Sequence, residues 1–238
     1  MIFLGIGWNN QLVMYNPRLN ELSWPKVKGD IPCPRAAHAT VCNDNTGNVY
    51  LFGGRFRSQR LNDLYIGNFD LSTEIFTWNM IYPHEYNTPE IESDTKPRGR
   101  SWHSMNIISN DRLIIYGGFS EDEEPLNDCW FLDLNNFSWI RVFRFNLEPR
   151  LWHTAHYMKE ASAVFLIGGC TRNIFDIESN NSHPNSITKL IVNPLTLSQT
   201  TVDYIAKNNS HYQSDDLKAL PVFLQEQIQF RKEYQSII

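Results

Sequence analysis

The sequence predicts an all-β chain, about three and a half four-stranded blades of an incomplete β-propeller, followed by a short helical C-terminal tail. Three observations carry that prediction. Apolar runs ending in a double glycine recur at Leu51-Phe52-Gly53-Gly54, Ile115-Tyr116-Gly117-Gly118 and Leu166-Ile167-Gly168-Gly169. Each is preceded by an arginine and a histidine at fixed spacing, Arg35 with His38, Arg100 with His103, and Arg150 with His153. The first two are followed by an Asn-Asp pair, Asn62-Asp63 and Asn127-Asp128, and by a late tryptophan, Trp78 and Trp139. The last two histidines are about 50 residues apart, and the wider gap before them is filled mostly by a polar insertion at 85–96. A period near 50 with these marks is that of a kelch repeat, one antiparallel blade per unit.

In chain order, residues 9–24 form two short alternating runs about a turn at Asn16-Pro17, a hairpin that matches the second half of a unit. The first whole unit runs from Pro34-Arg35 to Phe76-Thr77-Trp78 and predicts four strands. The second repeats it from Arg100-Ser101-Trp102-His103 to Phe137-Ser138-Trp139. A third starts at Pro149-Arg150-Leu151-Trp152-His153, and its later strands fade near Asn185-Ser186-Ile187 and Leu190-Ile191-Val192. The double glycine is expected where the second strand of a blade leaves the packed interior and side chains must vanish. The repeated arginines, histidines and late tryptophans are expected to pack the blades, and the Asn-Asp pairs to supply turn and strand-start chemistry. The pattern ends after Pro194, which divides the chain into a propeller part, 1–193, and a tail, 194–238.

Composition narrows the function. The chain has 238 residues, 42% of them hydrophobic and 13% aromatic, enough to bury a core. A net charge of -5 gives no general attraction for nucleic acid or an anionic membrane, so a cluster of arginines is a local feature aimed at something small and anionic. Cys33, Cys42, Cys129 and Cys170 make no C-x-x-C pair and fit free thiols in a reducing compartment, with no thiolate metal site and no cofactor. The apolar start, Met1 to Trp8, is too short to span a membrane and lacks the marks of a signal peptide. The expectation is an intracellular protein of the nucleus or cytoplasm, not an enzyme.

One stretch is not repeated. Arg55, Arg57 and Arg60 follow the first double glycine, and no other repeat has them. In a four-stranded blade, the loop joining the second strand to the third emerges on the same face as the loop leading into the next blade. Arg55 and Arg60, Ser101 with Trp102, Trp152, and Trp8 before the first hairpin would therefore line one mouth. Guanidinium groups beside a hydroxyl and indoles suit a carboxylate on a flexible chain, because arginine binds carboxylates bidentately and tryptophan stacks on peptide units. The plain alternative is that Arg57 and one neighbour are solvated loop residues.

The runs Pro34-Arg35-Ala36-Ala37-His38, Phe52-Gly53-Gly54-Arg55-Phe56-Arg57, Gly99-Arg100-Ser101-Trp102-His103 and Pro149-Arg150-Leu151-Trp152-His153 resemble those of the kelch domain-containing family that serves cullin-2 ubiquitin ligases. The resemblance covers nearly the whole chain from Gly7 onward, and the family's first blades have no counterpart, so the chain reads as an N-terminally truncated member. It implies a substrate receptor that binds proteins ending in a C-terminal glycine. Arg55, Arg60 and Ser101 would hold the terminal carboxylate, and Trp8, Trp102 and Trp152 would wall the pocket. In the tail, Thr196-Leu197, Thr201 and Ile205 fit an elongin-binding box in which Thr201 replaces the usual cysteine. Leu220-Pro221 with Leu224 resembles the box that selects the cullin, with Pro221 suited to a first helical turn. The implied partners are elongin B/C, cullin-2 and glycine-ending substrates. Two other classes stand beside this reading. A generic kelch scaffold would not prefer a free C-terminus, and a copper kelch oxidase would need a tyrosine, histidine and cysteine set that the predicted mouth lacks.

Overall fold

The structure, a computed structural model, describes residues 8–84, 95–142, 147–175 and 183–192, together with 201–202, 204–205, 217–218, 220–222, 224–226 and 228–229. The chain forms two compact units, one of Met1–Ala155 with Gly168–Pro184 and one of His156–Ile167 with Asn185–Ile238. Residues 85–94 of the polar insertion and residues 193–200, with Thr196 and Leu197 among them, lie outside the described residues.

In the first unit, β1 (Met14–Asn16) and β2 (Glu21–Ser23) pair as the expected hairpin, Tyr15 opposite Leu22. The first full sheet contains β3 (Lys26–Gly29), β4 (Ala39–Cys42), β5 (Val49–Phe56), β6 (Gln59–Asp70) and β7 (Ile75–Tyr82), in the order β3-β7-β6-β5-β4. Four of these are the antiparallel blade that the first repeat predicts. The fifth, β3, was not expected, and it pairs in parallel with β7 through Lys26 opposite Ile75 to Gly29 opposite Trp78. With a single apolar residue, Val27, it has almost no alternation to read. It is held by the apolar group it edges, in which Val27 packs on Leu51, Tyr65, Phe76 and Trp78.

The second repeat forms β8 (Arg100–Ser101), β9 (Ser104–Ser109), β10 (Arg112–Ser120), β11 (Pro125–Asp133) and β12 (Trp139–Arg141). Here β8 and β9 both pair with β10, which pairs with β11, which pairs with β12. The two sheets share a core in which Phe52 and Leu64 of the first meet Met105, Leu113, Ile115 and Leu132 of the second. Trp139 closes it, 5.2 Å from the ring of Phe52. This apolar contact between neighbouring sheets is where burial stabilises the repeats, at about 25 cal/mol per Å2 removed from water. The third repeat yields a sheet in the order β13 (Thr154–Met158), β14 (Ala163–Ile167) and β15 (Thr188–Ile191). It has three strands among the described residues, in keeping with the fading pattern.

The double glycines lie where side chains must vanish, as expected, and β14 ends at Ile167 just before Gly168-Gly169, but the first two pairs do not end their strands. β5 does not end at them but continues to Phe56, with its register shifting between Phe52 and Gly54. They form a bulge with φ of +63° at Gly53 and +100° at Gly54, a backbone that side chains oppose. A Cβ on Gly53 would also meet the carbonyl oxygen of Arg100, from the next repeat, at 2.8 Å. The repeated arginine explains why that approach is needed. Arg100 binds both oxygens of Asp128 at 2.7 Å and the carbonyl of Gly117 at 3.0 Å. Arg35 does the same with Asp63, at 2.7 and 2.8 Å, and with Gly53 at 2.9 Å. Asp63 and Asp128 are therefore ion-pair partners inside the blade, not merely strand-start residues. His103 is buried edge-on to Phe52, and His153 meets Ser104 Oγ at 2.9 Å and the ring of Tyr116 edge-on, so both pack one repeat on the next.

In the second unit, the described tail residues 201–202, 204–205, 217–218, 222, 224–226 and 228–229 are helical. Val202 and Ile228 form a small core with Ile205, Leu217, Leu220 and Leu224 against it. No helix among the described residues is long and apolar enough to cross a membrane.

Candidate functional site: a cationic and aromatic mouth

The same positions in each repeat build the site. The residue after each double glycine, Arg55, Phe119 or Cys170, pairs with the residue after each repeated arginine, Ala36, Ser101 or Leu151. The next residue, Ala37, Trp102 or Trp152, is left-handed in all three, with φ of +54°, +56° and +58°. Its amide then points back along the repeats. Trp102 N donates to Ala37 O at 2.9 Å, and Trp152 N donates to Trp102 O at 2.9 Å. One hydrogen-bonded staircase so brings Trp102 and Trp152 to equivalent places in successive repeats, and their rings stack with centroids 6.1 Å apart.

On the first step, β5 and β6 form a two-residue hairpin whose tip is Arg57-Ser58, with Arg57 left-handed at φ +55°. Arg55 and Arg60 stand directly opposite one another in that ladder. Opposed like charges destabilise a hairpin by tenths of a kcal/mol to about 1 kcal/mol, a cost that an anion between them would relieve. Arg60 is only 3% exposed, its guanidinium lies 4.9 Å over the ring of Phe119, and its Nε has no hydrogen-bond partner. Burial, followed by the charge of Arg55, lowers its pKa from the ordinary value. The Ser101 hydroxyl is 1% exposed and likewise unpartnered. Buried polar groups without partners cost about 1–3 kcal/mol each, and a charged one more, so this pair is where a ligand oxygen would gain most. Arg55 is more exposed, and its Nε donates to the carbonyl of Arg57 at 2.8 Å.

Phe119 sits at the centre, and sequence reasoning missed it. Besides Arg60, its ring meets Trp102 at 5.9 Å and Phe175 at 5.9 Å, while its backbone pairs with Ser101. Its signal was its place after Gly117-Gly118, equivalent to Arg55. Phe175, also missed, lies 6.2 Å from Trp102 and stands in a segment with no repeat pattern. Arg60, Ser101, Trp102 and Trp152 are thus joined through Phe119 and the staircase. Arg57 is not: its guanidinium lies over its own neighbour Phe56 at 5.1 Å. Trp8 is exposed, and no ring contact among the described residues joins it to the other indoles.

In the tail, Leu220, Leu224 and Ile205 pack on Val202 and Ile228, while Thr201 and Pro221 are exposed. Leu224 N and Gln225 N donate to Pro221 O at 2.9 and 3.2 Å, so a helical turn opens at the proline as its missing donor favours.

No family model matches the chain. Kelch domain-containing protein 2 of Bos taurus is 34% identical over 200 residues, covering 84% of this chain and 45% of its own length. Kelch domain-containing protein 1 of Homo sapiens is 31% identical over 224 residues, covering 93% of this chain and 51% of its own. The chain spans about half the length of the curated relatives it matches. Among solved structures, that of YjhT superposes with a TM-score of 0.50 at 14% identity, over 74% of this chain and 58% of its own, a likeness of fold. With identities of 31–34% over 84–93% of its length, the chain belongs to the kelch-repeat family of kelch domain-containing proteins 1 and 2.

Proposed function

We propose that this chain is the substrate-reading part of a cullin-2 and elongin ubiquitin ligase, and that its mouth binds the free carboxylate of proteins ending in glycine. The observation that carries the reading is the buried Arg60 guanidinium with an unpartnered Nε, opposite Arg55 and accompanied by the unpartnered Ser101 hydroxyl. A carboxylate is acceptor-only and satisfies such donors without leaving a new polar group unpaired. The stacked indoles of Trp102 and Trp152 offer flat apolar faces to the peptide units that follow. The preference for glycine rests on the family resemblance. The role is binding without chemistry, in the nucleus or cytoplasm, with no cofactor.

The tail supports the second half of the proposal through its helical residues and its small apolar core, from which Thr201 and Pro221 remain exposed. Thr196, Leu197, Thr201 and Ile205 would face elongin C, and Leu220, Pro221 and Leu224 would favour cullin-2. The decisive experiment is fluorescence polarisation with a glycine-ending peptide as free acid and as amide, alongside co-purification of the chain and its Leu197→Ala variant with elongin B/C. Preference for the free acid, and loss of elongin on substitution, are expected. Equal binding of acid and amide would leave a generic kelch scaffold in its place.

A further inference from the structure

The loop after Phe119 carries four exposed carboxylates, Glu121, Asp122, Glu123 and Glu124. Two of them are engaged: Asp122 and Glu124 approach Arg98 at 3.1 and 3.8 Å. Glu121 and Glu123 have no ion-pair partner among the described residues, and the charges of both act on Arg60. The loop is held against the aromatic wall. Ser120 N donates to Glu124 O at 3.0 Å, Glu123 N donates to Ser120 O at 3.2 Å, and Asn173 Nδ2 donates to Glu123 O at 3.0 Å. Asn173 Oδ1 accepts the amide of Phe175 at 2.9 Å, and the ring of Phe175 is one of those touching Phe119 and Trp102. An acidic rim is therefore fixed beside a site whose buried Arg60 Nε and Ser101 hydroxyl lack partners.

We infer that the mouth is bipolar, and that it selects C-terminal peptides with a lysine or arginine about two to four residues before the terminal carboxylate. The inference rests on the reading of Arg55, Arg60 and Ser101 as a carboxylate site. Its geometry follows from chain lengths. Glu121 is two residues from Phe119, hence within about 8 Å of it along the backbone, and an extended peptide advances about 3.3 Å per residue. A peptide with its carboxylate on Arg60 thus brings its next few side chains level with Glu121 and Glu123. The two free carboxylates cannot neutralise Arg60 themselves, because they are solvated at the rim while the guanidinium is buried. They attract a cation on the part of the peptide that stays near water and disfavour the reversed orientation.

The test uses the full chain and peptides that share a free C-terminal glycine but carry Lys, Ser or Glu three residues before the end, with the Lys peptide also made as the amide. At low salt the Lys peptide should bind about three- to tenfold more tightly than the Glu peptide, and the gap should shrink near about 0.5 M salt. The double variant Glu121→Gln, Glu123→Gln should erase that gap and keep the preference for acid over amide, whereas Glu21→Gln, far along the chain in β2, should leave the gap intact. Equal binding of the Lys and Glu peptides, with acid still preferred over amide, overturns the bipolar mouth and leaves the carboxylate site standing. Equal binding of acid and amide, or no binding of any peptide, overturns both.

Discussion

Trp152 donates its amide to the carbonyl of Trp102 at 2.9 Å while the two indoles stack at 6.1 Å, so a blade-to-blade hydrogen bond and a stacked aromatic surface are made by the same pair of residues. The left-handed φ of each, +56° and +58°, is what turns the amide towards the previous repeat.

Because Trp152 is 64% exposed, its ring adds little to the core and much to the mouth. Trp152→Ala should keep its backbone bond, change the melting temperature by less than about 2 °C, and weaken binding of a glycine-ending peptide by about three- to thirtyfold. Melting and polarisation on the same sample separate the effects. A large loss of stability with intact affinity would reverse the assignment.

The three arginines should differ in a set order. Arg60→Ala removes the buried donor and should weaken peptide binding on the order of tenfold to several hundredfold. Arg55→Ala should fall between, since its Nε is already engaged with the Arg57 carbonyl. Arg57→Ala should matter little, because that guanidinium rests on Phe56 at the hairpin tip. Equal losses at all three, measured by peptide titration, would mean a diffuse electrostatic patch.

The Arg100 and Asp128 pair clamps the second blade from within, with Trp130 Nε1 also donating to Asp128 at 2.6 Å. Burial opposes ionisation of Asp128, but the Arg100 charge and these hydrogen bonds prevail and hold its pKa at about 2. Asp128→Ala strands a fully buried guanidinium and should cost about 3–5 kcal/mol in urea unfolding. A loss below about 1 kcal/mol would show that water reaches the pair.

Stability should also fall in mild acid. Burial, then the Arg150 charge, holds the His153 pKa at about 4, and burial with Arg100 holds His103 well below its ordinary value. These histidines are neutral when folded and protonate near pH 6.5 when unfolded. The unfolded state therefore gains protons first as pH falls. Their contribution is complete above about pH 6.5 and is lost progressively down to the folded value, for His153 on the order of 3 kcal/mol. Melting temperatures from pH 7.5 to 4.5 check this, and His153→Gln should flatten the curve. An unchanged slope would show that His153 is not the titrating group.

The fold was legible in the sequence wherever a constraint acts on one short segment and recurs. A double-glycine bulge tolerates no Cβ, the residue pairs around it alternate, and repetition marks Gly53-Gly54 and Gly117-Gly118 as one device. Arg60, Ser101, Trp102 and Trp152 were legible as exceptions to that repetition, a basic or polar residue where the other repeats have none, or an indole where the first has Ala37. What escaped depended on partners far along the chain. The role of Asp63 is decided by Arg35, 28 residues earlier, and local pattern shows only a polar residue at a strand start. β3 is a strand because β7 offers it an edge, since Lys-Val-Lys-Gly carries no period of its own. Phe119 looks like one more core aromatic until folding lays Arg60 over its ring and Trp102 against its side. By itself the sequence determined which backbone positions are strained and how often they return, because sterics at a glycine are local. Only the tertiary structure decided which polar groups are left buried without partners, because hydrogen bonding and desolvation depend on everything that packs around an atom.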